Sequence, residues 1–203
     1  MKTPLVVLAF AMFALAGCVS VLPTPTIPSA LISLPADRAN APADPLQADV
    51  AVYVPESSRA FAGSDIAVRD NQELIYLSDV RWSDIAPALL QNALVNSLTK
   101  ASGPGKAVPG QLGAQTDYDV RWRVIDLSVG KNTSPVRAEV QVTLMDSGTR
   151  RMIAQQTFLS EGDPADRAPR ARAAALALVA QKLADDVAAF VAKTVTAKPA
   201  KPT

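Results

Sequence analysis

The chain has one thiol, on Cys18, and that residue is the best placed to do chemistry. A lone cysteine closes no intramolecular disulfide and builds no Cys cluster for zinc or iron, so its use is a bond to something outside the chain. Histidine is absent, which removes serine triads, Cys-His dyads and His-metal sites, all of which need an imidazole as base or ligand. Catalysis through Asp, Glu, Ser or Lys is formally open, but no spacing supports it. The expectation is a non-enzyme with no catalytic residue, no metal and no cofactor.

Three other constellations invite chemistry. Gly105-Lys106 sits in a glycine-rich stretch, yet Lys100 stands where a phosphate loop needs its first glycine and Ala107 where it needs Ser or Thr. Asp185-Asp186 suggests a metal, but adjacent helix residues point roughly 100° apart and no further ligands are evident; a solvated helix face is the better reading. Asp79, Arg81 and Asp84 surround Trp82. Such a cluster either binds a polar ligand or is a Trp packed beneath a helix start with its charges solvated. Tyr76, Arg81 and Trp82 are retained as candidate partner or ligand contacts.

The context of Cys18 is specific. Lys2 is followed by an apolar run from Pro4 to Ala16, too short to span a bilayer comfortably and laid out like a secretory signal peptide. The run ends in Leu15-Ala16-Gly17-Cys18, which resembles the bacterial lipobox. In that motif the chain is cut between the residues corresponding to Gly17 and Cys18, the sulfur carries diacylglycerol, and the new amine takes a fatty acid such as palmitate. Each buried methylene contributes about 0.8 kcal/mol, so several acyl chains anchor permanently. Val19, in place of aspartate, points to the outer membrane with the domain facing the periplasm. Beyond Cys18 the chain has 19 acidic and 19 basic side chains, and so no net field to gather nucleic acid or anionic lipid.

The elements that must position these groups follow from periodicity and punctuation. Residues 1–17 read as signal peptide and 18–48 as a lipid-attached, Pro-rich linker, able to reach on the order of 90 Å when extended. Ala30 to Leu34 is the exception there, a short strand for a sheet edge or a partner. Residues 49–196 form the domain and 197–203 a disordered tail. Val50, Val52 and Val54 alternate in a half-buried strand that stops at Pro55. Runs on either side of Asp70-Asn71 predict a hairpin. A helix starting at Ser83 or Asp84 carries Leu90, Leu94 and Leu98, with Ile85 and Leu89 alongside. Residues 102–115 read as a loop. Three strands, Tyr118 to Val129, Val136 to Asp146 and Arg151 to Leu159, form an antiparallel meander whose first turn is Asn132-Thr133-Ser134-Pro135. A change of phase after Val124 predicts a bulge. A last helix, from Asp163 or Asp166 to about Val195, carries the stripe Leu176, Val179, Leu183, Val187, Phe190, Val191 and Val195. The faces require an α+β fold: a two-layer sandwich, mostly antiparallel sheet with two amphipathic helices on one face.

Val52-Tyr53-Val54-Pro55, Ser64 to Arg69, Ile75-Tyr76, Arg81-Trp82 with its Leu-rich helix, Val120 to Ile125, Leu144-Met145-Asp146 and the Ala-rich last helix together resemble the ABC-type transport auxiliary lipoproteins, over roughly residues 30 to 195. The resemblance includes the paraquat-inducible lipoproteins. It implies a partner complex of ABC permease, ATPase and MCE-type protein that moves lipids or hydrophobic compounds between membranes, with a lipid-anchored adaptor that is a candidate homo-oligomer and has no catalytic residues. Ile75-Tyr76-Leu77 departs from the paired aromatics common in that family. Two other readings are a lipid carrier with its own hydrophobic cleft and an envelope-assembly lipoprotein unrelated to ABC transport.

Overall fold

The computed structural model describes residues 27–131 and 135–197. The signal peptide, Gly17, Cys18, the tail from 198 and the turn residues 132–134 lie outside the described residues. Eight strands and two helices follow in the order β1 (Ala30–Ile32), β2 (Val50–Val52), β3 (Asp65–Asp70), β4 (Glu73–Trp82), α1 (Ala86–Thr99), β5 (Ala107–Pro109), β6 (Tyr118–Gly130), β7 (Val136–Asp146), β8 (Met152–Gly162) and α2 (Pro169–Thr194).

The 13-residue β6 organises the sheet. Along one edge it pairs antiparallel with β7, which pairs antiparallel with β8. Along its other edge β2 joins parallel at Tyr118 to Val120 and β3 joins parallel at Ser128 to Gly130, with a bridge between Glu56 and Arg123 in the interval. β5 adds parallel to β2, β4 antiparallel to β3, and β1 parallel to β4. The result is an open, mixed α/β arrangement in which four of seven strand pairings are parallel. This corrects the mostly antiparallel sheet expected from the sequence. Among the described residues short turns join β3 to β4 and β7 to β8; the three-residue strands arrive from remote parts of the chain, where direction is set by connection and not by a turn.

One residue sets the phase of the central strand. Val124 opposes Val140 and Asp126 opposes Glu139, leaving Ile125 as the extra residue of a bulge and 40% exposed. Before it Val120, Trp122 and Val124 point to the core; after it Leu127 and Val129 do. Without the bulge the strict two-residue period would send Asp126 inward. In β7 the alternation is unbroken: Val136, Ala138, Val140, Val142 and Leu144 are buried, with half-exposed polar residues between them.

The helices bury the stripes their sequences present. Leu90, Leu94 and Leu98 of α1 and Leu176, Leu183, Val187 and Val191 of α2 share one cluster with the inward side chains of β6 and β7; each such side chain contributes roughly 1.5–3 kcal/mol over its exposed state. Phe190 is partly buried and meets Phe158 of β8 edge to face at 5.5 Å. Ile85, expected beside the α1 stripe, lies in the extended residue before the helix and is 47% exposed. Pro87 and Pro169 sit in the first turns, where an amide would have no acceptor within the helix.

Part of the expected linker is docked on the domain. The backbone N–H and side-chain hydroxyl of Ser29 both donate to the carbonyl of Asp79, at 2.8 and 2.9 Å. β1 then runs beside Val80 to Trp82, and Leu46 and Ala48 are core residues. From Ser29 onward the segment is therefore integral to the fold. Val50 to Val52 are all buried because β2 lies between β5 and β6, whereas Val54 is beyond the strand and exposed. The stretch read as loop contains β5, whose Pro109 is tolerated at the sheet edge.

Candidate interaction surface

The three residues singled out for a contact separate in the structure. Tyr76 lies opposite Ala67 and is 49% exposed; Leu74 and Ile75 before it are 37% and 48% exposed. Consecutive strand residues face opposite sides, so this end of the β3–β4 hairpin shows apolar groups on both. Arg81 pairs through Nε with Asp65 at 3.0 Å; both side chains are nearly half exposed, a geometry in which solvent leaves at most about 1 kcal/mol. Trp82 is 2% exposed within the core, as expected of an indole packed near the helix start. Only Tyr76 and Arg81 are accessible.

The other constellations resolve into structure. The amides a phosphate would need are engaged, Gly105 N–H donating to Leu46 O and Lys106 N–H to Asp49 Oδ1, each at 2.9 Å. A Cβ on Gly105 would lie 2.4 Å from the carbonyl oxygen of Ala48, so this glycine serves close backbone approach. Asp185 accepts from Ser97 Oγ at 2.6 Å, Gln181 Nε2 at 3.0 Å and Asn40 Nδ2 at 2.9 Å, tying α1, α2 and the docked segment together. Asp186 pairs with Lys182 one turn earlier.

On the solvent side of the sheet, the bulge places Asp126 in an ion network that sequence spacing does not reveal. Arg69 is 2.7 Å and Arg137 3.6 Å from its Oδ2, and Ser128 Oγ donates to Oδ1 at 2.8 Å. Arg137 also reaches Glu139 at 2.7 Å and Glu161 at 3.0 Å. The hydrogen bond to Glu139 raises the Arg137 pKa above its ordinary value, against desolvation and with the help of the neighbouring carboxylates. Further along the same face, the Arg121 guanidinium stacks 3.8 Å above the Tyr53 ring, beside Arg123, Gln141 and Thr143.

Two grooves border α2. One, of about 420 Å³, lies between the docked segment and α2 and is lined by Leu31, Ile32, Pro35, Ala174, Ala177 and Leu178, with Asp37 and Arg38 present. The other, of about 290 Å³, lies between the hairpin and the start of α2; Ile75, Tyr76 and Leu77 meet Lys131, Arg167 and Arg172 there. Lys131 is paired with Asp70. Arg172 donates to the carbonyl of Gly130, and burial pushes its pKa down. Arg167 is exposed and makes no ion pair among the described residues. Sequence reading passed over Lys131 and Arg167 because only the fold brings them to Tyr76. Among the described residues no group of three or more His, Cys, Asp or Glu is placed to hold a metal, and no helix is long and apolar enough to cross a membrane.

Protein XCC0632 from Xanthomonas campestris shares the fold, with a TM-score of 0.67 and 18% identity over 83% of this chain and 95% of that one. The crystal structure of an uncharacterized protein gives a TM-score of 0.63 at 13% identity, covering 81% of this chain and 99% of its own. No curated protein matches the sequence. The family described as the ABC-type transport auxiliary lipoprotein component matches residues 31–188, from β1 into the last turns of α2, and so includes the docked segment, both grooves and the ion network. The chain belongs to that family of ABC-type transport auxiliary lipoproteins, which agrees with a cell-envelope location.

Proposed function

We propose that this protein is a non-catalytic, membrane-anchored adaptor of an ABC-type transport system that moves lipids or other hydrophobic compounds with an MCE-type protein, as the paraquat-inducible lipoproteins do. The observation that carries the reading is the family match over residues 31–188, joined to the Leu15-Ala16-Gly17-Cys18 sequence before it. In this account the signal peptide is removed between Gly17 and Cys18, acyl chains on Cys18 hold the protein in the outer membrane, and the folded domain faces the periplasm. The MCE-type protein or the periplasmic side of the permease docks on the solvent side of the sheet, where Arg121, Arg123, Gln141 and Thr143 form a polar surface, while the ATPase acts through the permease. Among the described residues β8 pairs only with β7, and its other edge offers a strand to the same partner or to a second copy.

A second reading, a lipid carrier with its own cleft, has one feature in its favour, the apolar groove beside α2. At about 420 Å³ it is at the lower end of ligand pockets.

Gene deletion tests the adaptor reading. Loss of the protein should sensitise cells to hydrophobic compounds to the same degree as loss of the MCE-type protein, with no added effect when both are absent. Rescue should succeed with the wild-type chain and fail with Cys18→Ala. Additive phenotypes, or full rescue by Cys18→Ala, would count against it.

A further inference from the structure

The geometry points to the groove between the β3–β4 hairpin and the start of α2 as a binding site for anionic phospholipid headgroups of the membrane in which Cys18 is anchored. The proposal rests on the anchored-adaptor reading for the position of that membrane. Two independent observations carry it. The first is composition: Arg167 and Arg172 line the groove without an ion pair among the described residues, Lys131 beside them is already paired with Asp70, and Ile75 and Tyr76 stand exposed at its wall. Cations beside an exposed apolar edge match a phosphate carried on an acyl body, the phosphate meeting the guanidinium groups and the glycerol and first methylenes meeting the rings and branched chains.

The second observation is where the anchor-bearing chain enters. Pro28 lines a neighbouring pocket that shares Leu77 and Ser78 with the groove, and Arg170, one residue past Pro169, donates to the carbonyl of Ser29 at 3.4 Å. β1 runs parallel to β4, so the chain before it lies toward the hairpin end and not toward Trp82. From Cys18 to Ile27 the chain is nine residues, at most about 30 Å when fully extended. The bilayer holding Cys18 is therefore within reach of the groove, and the short tether favours a headgroup over a distant soluble partner.

The test uses the mature chain from residue 18 onward with Cys18→Ala, which lacks both the lipid and the apolar signal peptide, in flotation with vesicles of phosphatidylcholine alone or mixed with phosphatidylglycerol. Binding to the mixed vesicles, weakened at least about fivefold by Arg167→Glu and unchanged by Arg151→Glu in the distant β7–β8 turn, is the expected result. Arg167 is exposed, and circular dichroism of both variants separates loss of binding from loss of fold. Equal binding to both vesicle types, no binding to either, or no effect of Arg167→Glu overturns the site. Capture of an acidic periplasmic protein in place of vesicles, abolished by Arg167→Glu, would reassign it to a protein partner. Mass spectrometry of wild-type Cys18 from cells reports the anchoring reading separately: an unmodified cysteine alongside Arg167-dependent vesicle binding would remove the tether and keep the groove.

Discussion

The backbone N–H of Ser29 donates to the carbonyl oxygen of Asp79 at 2.8 Å. Asp79 has a left-handed backbone, φ 60°, in the irregular part of β4 where Asp65 opposes Arg81 but Ala67 opposes Tyr76. The irregularity turns the Asp79 carbonyl to the incoming chain, and the docked segment that follows becomes the sheet's edge strand. That connection ties the Pro-rich stretch to the domain from Ser29 onward.

The docked segment should behave as part of the core. Leu46 is 1% exposed, and Leu46→Ala is expected to cost about 2–5 kcal/mol in urea unfolding of the full Cys18→Ala chain, matching Leu94→Ala in α1. A cost near zero for Leu46→Ala would return the segment to a free linker.

Deleting Ile125 should abolish folding, because removal of one residue from the bulge drives Asp126 toward the core and Leu127 and Val129 toward water. Ile125→Thr, which keeps the residue count, should stay within about 1 kcal/mol of wild type. Far-ultraviolet circular dichroism distinguishes the two outcomes.

Gly105→Ala should destabilise by about 1–3 kcal/mol or more, since the new Cβ meets backbone at Ala48, which has little room to move. Gly113→Ala meets no atom within 4 Å but must adopt φ +63°, a cost of about 1–2 kcal/mol. Thermal unfolding of the two variants ranks clash against conformational strain.

Arg137→Ala leaves the buried Asp126 with Arg69 as its one remaining cation among the described residues and should destabilise by about 1–3 kcal/mol. The folded pKa of Arg137 is raised, so its contribution is complete below the unfolded arginine value and is lost only as pH rises through the folded one. The wild-type to Arg137→Ala difference should therefore be constant between roughly pH 6 and 10. A difference that shrinks as pH rises across that window would contradict the assignment.

Much of this architecture was legible because local rules decide it. The alternation of β7, the bulge after Val124, the hairpin at Asp70-Asn71 and the leucine stripes of both helices all follow from spacing within one element. The parallel additions of β1, β2, β3 and β5 did not, because three-residue pairings carry no periodicity and join residues far apart in the chain. The interaction surface divided the same way. Trp82 could be read as core or contact until its burial was known, while Lys131 and Arg167 meet Tyr76 only through the register of β3 on β6 and the placement of α2.

The most direct measurement is affinity purification of the full-length protein from cross-linked cell envelopes, with Cys18→Ala in parallel. The account predicts recovery of an MCE-type protein together with its ABC permease, lost or weakened when Cys18 is replaced. Recovery of neither, with extractable lipid copurifying instead, would contradict the adaptor and favour the carrier.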